Sequence, residues 1–553
     1  MKIPLSLCRG LAVLTWLVSA LRLAAVEPAP DGTAPLPGET VFIPELKGVI
    51  CVPDATALAE PPPAGFTGVD TSRTPLLADP AAAELIRMFL GKPMSFGSLD
   101  RLCIGVRTWL RLMGQPFVTV QAPPQDVTGG IVRLVVEPVR LDGELQVDGA
   151  KWFSEKSYRT AIPVQPGAAI NAQAVQAGVE RLNTNPYRRV AIAAEPGATS
   201  GTTKLTLRTQ ETRPWEFMAG YNNTGTAVTD EDRVLAGVTW GNAFGRGDIL
   251  SYNLSADPAF QHSVSHSLNY STAFTKGWSL SFLGSYSSVE SVLPEPLTQE
   301  GTSWQLGARL GKALKPTAGK WQRRLEFAAD FKYADNNLEF ATIPISDNVT
   351  HVAQAGVSFS ISRQREKDSM GVTVGIFGSP GGITGRNDDE AFEGSRAGAS
   401  SSYIYGKLDG YYSRVLPAGF TFSSRLSVQT ADGPLLGVEQ LAGSGSVAVR
   451  GYRESAVFGD EGIIGSVELH APQLTLARIK GRLDAFVFLD AGTLHNLGPE
   501  GDYTELAGAG PGLNLAIGPR FSLTAAYGWQ LKEIPYLADQ GSGFCHISAT
   551  LRF

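Results

Sequence analysis

The 553-residue chain carries 47 Lys and Arg against 53 Asp and Glu, a formal charge of −6 with a pI near 5.7. That balance argues against a nucleic-acid binder, which is normally basic, and the length calls for two or three domains. Glycine supplies 61 of the 553 residues, about 11 % against an average of roughly 7 %, and no run of 18 apolar residues follows the N-terminus, so no spanning helix is expected.

Lys2 and Arg9 precede the apolar run Leu11–Leu21 and the small residues Ala24 and Ala25. This order predicts a secretory signal peptide over residues 1–25, cleaved near Ala25 with Ala20 as a second candidate. Residues 26–40 are rich in Pro, Ala and Gly and read as a linker. Of the four cysteines, Cys8 leaves with the signal peptide. Cys51 and Cys103 either pair, which an oxidising periplasm permits, or remain free thiols. No CxxC or His/Cys cluster suggests a metal. With six histidines and no GxSxG, HExxH or phosphate-cradling run, neither an enzyme nor a cofactor is expected.

Two modules of mixed α and β character follow. In the first, over residues 41–138, strands are predicted at Val41–Val52, Phe117–Gln121 and Gly130–Glu137, and helices at Pro80–Leu90 and Ser98–Met113. Asp79 before Pro80 makes a helix start, and Glu60–Pro80 reads as an inserted loop. The second module, residues 139–211, reads strand (Val139–Val147), helix (Phe153–Ala161), helix (Asn171–Asn183), strand (Arg188–Glu195), strand (Thr202–Gln210). That is the order of a POTRA domain, with a generic α+β domain as the alternative.

From residue 212 to Phe553 the chain becomes strand after strand of alternating apolar and polar residues. Cys545, Ile547, Ala549, Leu551 and Phe553 share one face, and His546, Ser548, Thr550 and Arg552 the other. Phe521, Leu523, Ala525, Tyr527, Trp529 and Leu531 form the apolar face one strand earlier. An apolar face capped by aromatics, opposite a face of Ser, Asn, Gly and Thr, suits a wall with lipid outside and water inside. Sixteen strands are expected, at about 215–224, 232–243, 248–257, 263–274, 278–288, 303–313, 321–334, 352–363, 369–378, 402–413, 419–429, 462–471, 481–491, 506–517, 519–530 and 543–553. Short turns such as Gly245-Arg246-Gly247, Thr275-Lys276-Gly277 and Gly518-Pro519 follow even strands. Longer loops follow odd ones, at Val289–Thr302, Asp335–His351, Ser379–Ser401, Thr430–Glu461 and Gly492–Glu505. An even count with alternating connection lengths fits an outer-membrane barrel, and closure leaves no unpaired edge in hydrocarbon. The fold class is therefore α+β POTRA modules followed by an all-β, 16-stranded antiparallel transmembrane β-barrel, localised to the cell outer membrane with the POTRA domains in the periplasm. Terminal Phe553 is the expected barrel-assembly terminus, read by the barrel-assembly machinery that inserts the chain among outer-membrane lipid.

The longest loop, 430–461, contains Val449-Arg450-Gly451-Tyr452, and Phe488-Leu489-Asp490-Ala491-Gly492 comes two strands later. Leu483, Ala485, Val487, Leu489 and Ala491 form a lipid face, so Asp484, Phe486, Phe488, Asp490 and Gly492 point into the lumen. A lumen carboxylate gives an inward-folded loop a place to anchor, and Arg450 is its natural partner because a guanidinium engages a carboxylate through two parallel hydrogen bonds. Glu468 and His470, on the strand after the loop, extend the network. Taken alone, an arginine in an external loop reads as a solvated surface charge.

The paired motifs resemble the loop-six and strand signatures of two-partner secretion transporters, the haemolysin secretion/activation proteins of ShlB/FhaC/HecB type. Pro123-Pro124-Gln125-Asp126-Val127 is similar to the segment closing that family's first POTRA, and Leu182-Asn183-x-Asn185-Pro186 to the end of its second-POTRA helix. The resemblance spans roughly Val41 to Phe553. It implies a pore that exports one large, unfolded, β-rich partner exoprotein, with an N-terminal secretion domain, from periplasm to cell surface without nucleotide. POTRA modules would catch the cargo by strand addition, and the loop anchored by Arg450, Gly451, Tyr452, Phe488, Asp490 and Gly492 would shape the conduit. The family's plug helix has no evident counterpart in the short Pro-rich linker. An insertase using the same loop pairing is the main alternative, with three or more POTRA modules as its usual complement; a passive porin would leave the two modules without purpose.

Overall fold

The computed structural model describes residues 40–63, 65–199, 201–274, 277–291, 297–317, 319–340, 343–499, 501–534 and 542–553. The expected signal peptide, nearly all of the linker and Thr275-Lys276 lie outside the described residues. The chain divides into two compact units, one built from most of residues 40–210 and one from Glu211–Phe553 with Lys151–Ser154 and Thr184–Arg188.

In the first unit a four-stranded sheet runs Gly68–Asp70, Gly48–Val52, Ile131–Pro138, Val118–Gln121 in spatial order. Gly48–Val52 is parallel to both neighbours, and Val118–Gln121 pairs antiparallel with Ile131–Pro138. Helices Pro80–Arg87 and Phe96–Leu112 cover one face, burying Leu85, Leu102, Val106 and Trp109 against Val49, Cys51, Leu134 and Val136. Asp79 caps the first helix by accepting from Ala81 N at 2.9 Å, and Ser95 and Ser98 form a reciprocal cap on the second. The other face, Ile50, Val52, Ile131 and Val135, is covered by Leu58 and Phe66. A sheet buried on both faces reads as a continuous apolar run, which is why Gly48–Val52 lacks alternation.

Two expectations change here. The Val41–Val52 strand breaks at Pro44, which cannot donate to a ladder, so Val41–Ile43 pairs instead with Met94–Ser95. Glu60–Pro80 is more than a loop, since it supplies the edge strand Gly68–Asp70 and a helical turn at Pro75–Leu77. Both thiols are free. Burial pushes Cys51 up to about 12 and Cys103 up to about 11, so both stay protonated at neutral pH.

The second sheet centres on Thr202–Glu211, parallel to Arg140–Leu141 and Gln146–Asp148 and also paired with Arg188–Pro196. The expected strand Val139–Val147 is split by Gly143 at φ 74°, and the helices run Glu155–Ala161 and Ala172–Leu182. The two short motifs now have structural work. Gln125 exchanges hydrogen bonds with the Arg133 main chain at 2.7 and 2.8 Å, acting as one more ladder rung. Asn183 does the same with Val190, at 2.7 and 3.0 Å. Within the second unit, buried Asn185 donates to the Gly247 carbonyl at 2.8 Å and to that of Gly241.

The second unit is a closed antiparallel barrel of sixteen strands, counting Glu461–His470 and Leu474–Leu476 as one interrupted strand. It closes where Trp215–Asn222 pairs with Gly543–Arg552, and Phe553 N donates to Phe217 O at 2.9 Å. The alternation orients the wall: on Gly481–His495, Val487 and Leu489 are 57 % and 50 % exposed on the outside, whereas Phe486, Phe488 and Asp490 are buried inside.

Some connections differ from expectation. Leu297–Thr317, Trp321–Phe340 and Ile343–Gln364 are strands of 21, 20 and 22 residues, about twice the 9–11 that cross a bilayer. Polar residues such as Asp335 and Thr350, expected in loops, lie in strands that continue outside the membrane, where alternation is no longer required. On one side Ile343–Gln364 outruns its neighbour Asp368–Pro380, whose pairing with it starts only at Ala355↔Gly378. There the loop before Ser402 leans on its free edge. His351 N donates to Arg386 O at 2.9 Å, Asn387 Nδ2 to His351 O at 2.9 Å and Asn348 Nδ2 to Gly394 O at 2.6 Å. That loop also holds the helix Asp389–Ser395.

Candidate functional site

Between strands Thr421–Ala431 and Glu461–His470 the chain turns inward. The loop has little regular structure of its own, a two-residue hairpin pairing Leu441–Ala442 with Phe458–Gly459. Its placement therefore depends on what its charged groups and backbone find on the wall. At the base, Asp460 is fully buried and accepts from Leu435 N at 2.9 Å, Leu497 N at 2.8 Å and Arg396 Nη2 at 2.8 Å, uniting three external loops. Glu439 accepts from the Tyr405 hydroxyl at 2.7 Å and pairs with Lys332 on the wall.

Arg450, only 4 % exposed, lies against Asp490, which is 0 % exposed. Its Nε and Nη2 donate to the two carboxylate oxygens at 2.7 and 2.8 Å, its main-chain N donates to Oδ2 at 3.1 Å, and Nη2 also reaches Ser466 Oγ at 3.1 Å. Nη1 meets Glu468 Oε1 at 2.7 Å. The guanidinium sits 3.7 Å over the Phe488 ring, a cation–π contact that strengthens when water is excluded. One cation thus faces two carboxylates. His470 extends the chain of contacts, 3.0 Å from Glu468 Oε2 through Nε2 and 2.9 Å from Asp484 Oδ2 through Nδ1, stacked on Phe486.

Backbone closeness completes the seat. Gly451 adopts φ 101°, a region other residues rarely enter, and a Cβ there would stand 3.1 Å from the Gly528 carbonyl carbon. A Cβ on Gly528 would come within 2.5 Å of Gly451 N, and one on Gly508 would overlap Arg450 O. The loop main chain therefore rests directly on a glycine-paved patch of wall. Gln530 Nε2 donates to Gly451 O at 2.9 Å. Tyr452 is fully buried, its hydroxyl donating to Lys532 O at 2.6 Å and Ala507 O at 3.1 Å. A Cβ at Gly492 would meet Ile464 and Val449 side chains at 3.2 and 3.4 Å, so that glycine admits the loop's apolar shoulder. Arg453 pairs with Glu231 in the connection between the first two strands, and Glu454 stands 3.5 Å from His546 on the last.

The residues singled out in the sequence, Arg450, Gly451, Tyr452, Glu468, His470, Phe488, Asp490 and Gly492, are thus drawn into one lumen cluster. Phe553 stands apart at the closure. Sequence reasoning missed Ser466, which shares the face of Glu468 and His470 by period two, and the lumen-facing glycines at 508 and 528. It also missed Arg396–Asp460 and Lys332–Glu439, which join residues with no common motif.

A family model described as haemolysin secretion/activation protein ShlB/FhaC/HecB matches residues 201–515. The chain belongs to this family. It is 23 % identical over 476 residues to the outer membrane transporter CdiB of Dickeya dadantii, covering 84 % of this chain and 82 % of the relative. It is 25 % identical over 355 residues to the hemolysin transporter protein ShlB of Serratia marcescens, covering 61 % and 62 %. Its fold matches that of CdiB from Escherichia coli with a TM-score of 0.73 at 17 % identity, across 100 % of both chains. BamA from Haemophilus ducreyi lacking POTRA domains 1–3, at a TM-score of 0.50 and 14 % identity over 87 % of this chain and 98 % of that truncated chain, shares the fold at greater distance. The ShlB/FhaC/HecB member described here is accordingly an outer-membrane transporter that translocates a partner exoprotein rather than an insertase, with its POTRA modules in the periplasm.

Proposed function

We propose that the buried Arg450–Asp490 pair latches the long loop inside the lumen and that secretion of the partner exoprotein proceeds as this latch yields to the arriving chain. The observation that carries the reading is a charge pair sealed from solvent in a barrel whose purpose requires a water-filled path. A loop that merely decorated the exterior would leave its arginine in water. The modules residues 41–138 and 139–211 receive the cargo, and their sheets offer edge strands such as Val118–Gln121 for strand addition. No nucleotide or catalytic group takes part; folding of the cargo outside draws it through. The barrel-assembly machinery inserts the transporter, with Phe553 as its recognition point.

Deleting the transporter should strand one or a few large exoproteins in the periplasm while other outer-membrane barrels assemble normally. A general loss of barrels would overturn the secretion reading. Restoring Arg450→Ala or Asp490→Ala should insert a barrel with impaired secretion, and normal secretion from both would remove the latch from the mechanism.

A further inference from the structure

Just past the latch, the loop tip reaches the place where the barrel closes. The closing ladder sets Met218–Asn222 against Ser548–Arg552. It is shorter than the ladder on either side, Trp215–Asn222 against Arg233–Trp240 and Phe521–Trp529 against Gly543–Leu551. The Asn223 side chain lengthens it, donating through Nδ2 to Cys545 O at 2.6 Å and accepting from Ile547 N at 2.8 Å. Glu231, in the connection after the first strand, and His546, on the last strand, lie on opposite sides of this junction.

The tip holds both. Arg453 pairs with Glu231, and its guanidinium lies 5.7 Å over the ring of Phe544 on the last strand. Phe544 in turn meets His546 edge-on at 5.0 Å. Gly451 N donates to His546 Nε2 at 3.4 Å, which in the neutral ring leaves the proton on Nδ1, 3.5 Å from Glu454 Oε1. The same carboxylate oxygen accepts from Ser446 N at 2.6 Å, bracing the tip from within. A tip that grips both sides is energetically tied to the junction between them, and such coupling is reciprocal: closure favours seating as much as seating favours closure.

We propose that Arg453 and Glu454 are positioning residues for transport, a clasp that fastens the loop tip across the closing junction and thereby brings Arg450 onto Asp490. The inference rests on the reading of the loop as seated in the lumen until cargo arrives. It adds a second fastening whose partners, Glu231 and His546, come together only in a closed barrel, so the latch is set after closure and reports it. The Arg453 and Glu231 side chains are 31 % and 30 % exposed. Water therefore weakens the pair, and its loss should raise the unseated fraction of the loop about fivefold, well below the effect of losing Arg450.

The test uses the full-length transporter in detergent, with two readouts: limited proteolysis of residues 432–460, and the temperature at which the barrel opens in heat-modifiable electrophoresis. Arg453→Glu and Glu231→Arg should each speed loop cleavage at least fivefold and lower the opening temperature by about 2–4 °C. The double variant, with the charges exchanged, should return both readouts to wild type, which a loop contact with no bearing on closure would not do for the second. Should either charge reversal fail to insert, Arg453→Gln should still raise cleavage about fivefold. Arg450→Ala is carried alongside. Faster cleavage there with wild-type behaviour of the Arg453 and Glu231 variants would overturn the clasp alone. Wild-type cleavage in Arg450→Ala would remove the latch and the clasp with it, and a double variant no better than the single ones would sink the pairing.

Discussion

Removing either member of the Arg450–Asp490 pair should free the loop, and the two removals should differ in size. Asp490 is fully buried, and Arg450 donates three hydrogen bonds to its carboxylate. Arg450→Ala leaves that carboxylate with one main-chain donor and strips Glu468 of its 2.7 Å partner. Uncompensated buried charge of this kind costs about 3–5 kcal/mol. Asp490→Ala leaves the arginine still facing Glu468 and Ser466, so the cost falls to about 2–3 kcal/mol. Because the barrel ladder does not depend on this pair, the energy is spent on the seated loop, multiplying its unseated fraction about a hundredfold to a few thousandfold for Arg450→Ala. Limited proteolysis of residues 432–460 in the folded transporter reads that fraction when seating is fast relative to cleavage, and heat-modifiable electrophoretic migration shows that the barrel remains closed. Wild-type cleavage in both variants, or a larger effect from Asp490→Ala, would refute the reasoning.

Gly508→Ala should unseat the same loop without altering any charge, because its methyl occupies the place of Arg450 O; proteolysis of the loop should rise as for Arg450→Ala. Tyr452→Phe deletes the hydroxyl bonds to Lys532 O and Ala507 O, worth about 1–2 kcal/mol, and should give a smaller increase in the same assay. Asp460→Asn should loosen the external end, since its charge is fully buried against Arg396, by about 2–4 kcal/mol, read as faster cleavage near Arg396. Raised thiol pKa values mean less thiolate at any given pH below them. Cys51 and Cys103, shifted up to about 12 and 11, should therefore resist alkylation at pH 7 in the native protein and react in urea.

Much of this was legible because the physics is periodic. Alternation identified the wall, assigned Asp490 and Phe488 to the lumen and Val487 and Leu489 to lipid, and the helix cap at Asp79 stood beside its helix. The failures came where alternation ceases to be required. Residues 335–351 looked like loop because strands outside the membrane need no oily face. Gly68–Asp70 was invisible because three residues carry no pattern. In the lumen cluster the charged side chains could be named, while their seat could not, for it is made of absent side chains at Gly508 and Gly528. The Arg396–Asp460 contact joins loops 64 residues apart, a distance that only the closed cylinder brings together.

The tall strand Ile343–Gln364 has a cost the protein manages above the membrane. Where it rises past its neighbour, one row of amide and carbonyl groups has no strand beside it among the described residues, and such rows recruit any extended peptide that drifts near. The residues 386–394 that lean on His351 and Asn348 act as a shutter over that row. Trimming them would leave the cell surface bearing a sticky border, one on which freshly emerged, still unfolded cargo or an adjacent transporter would zip up in place of departing.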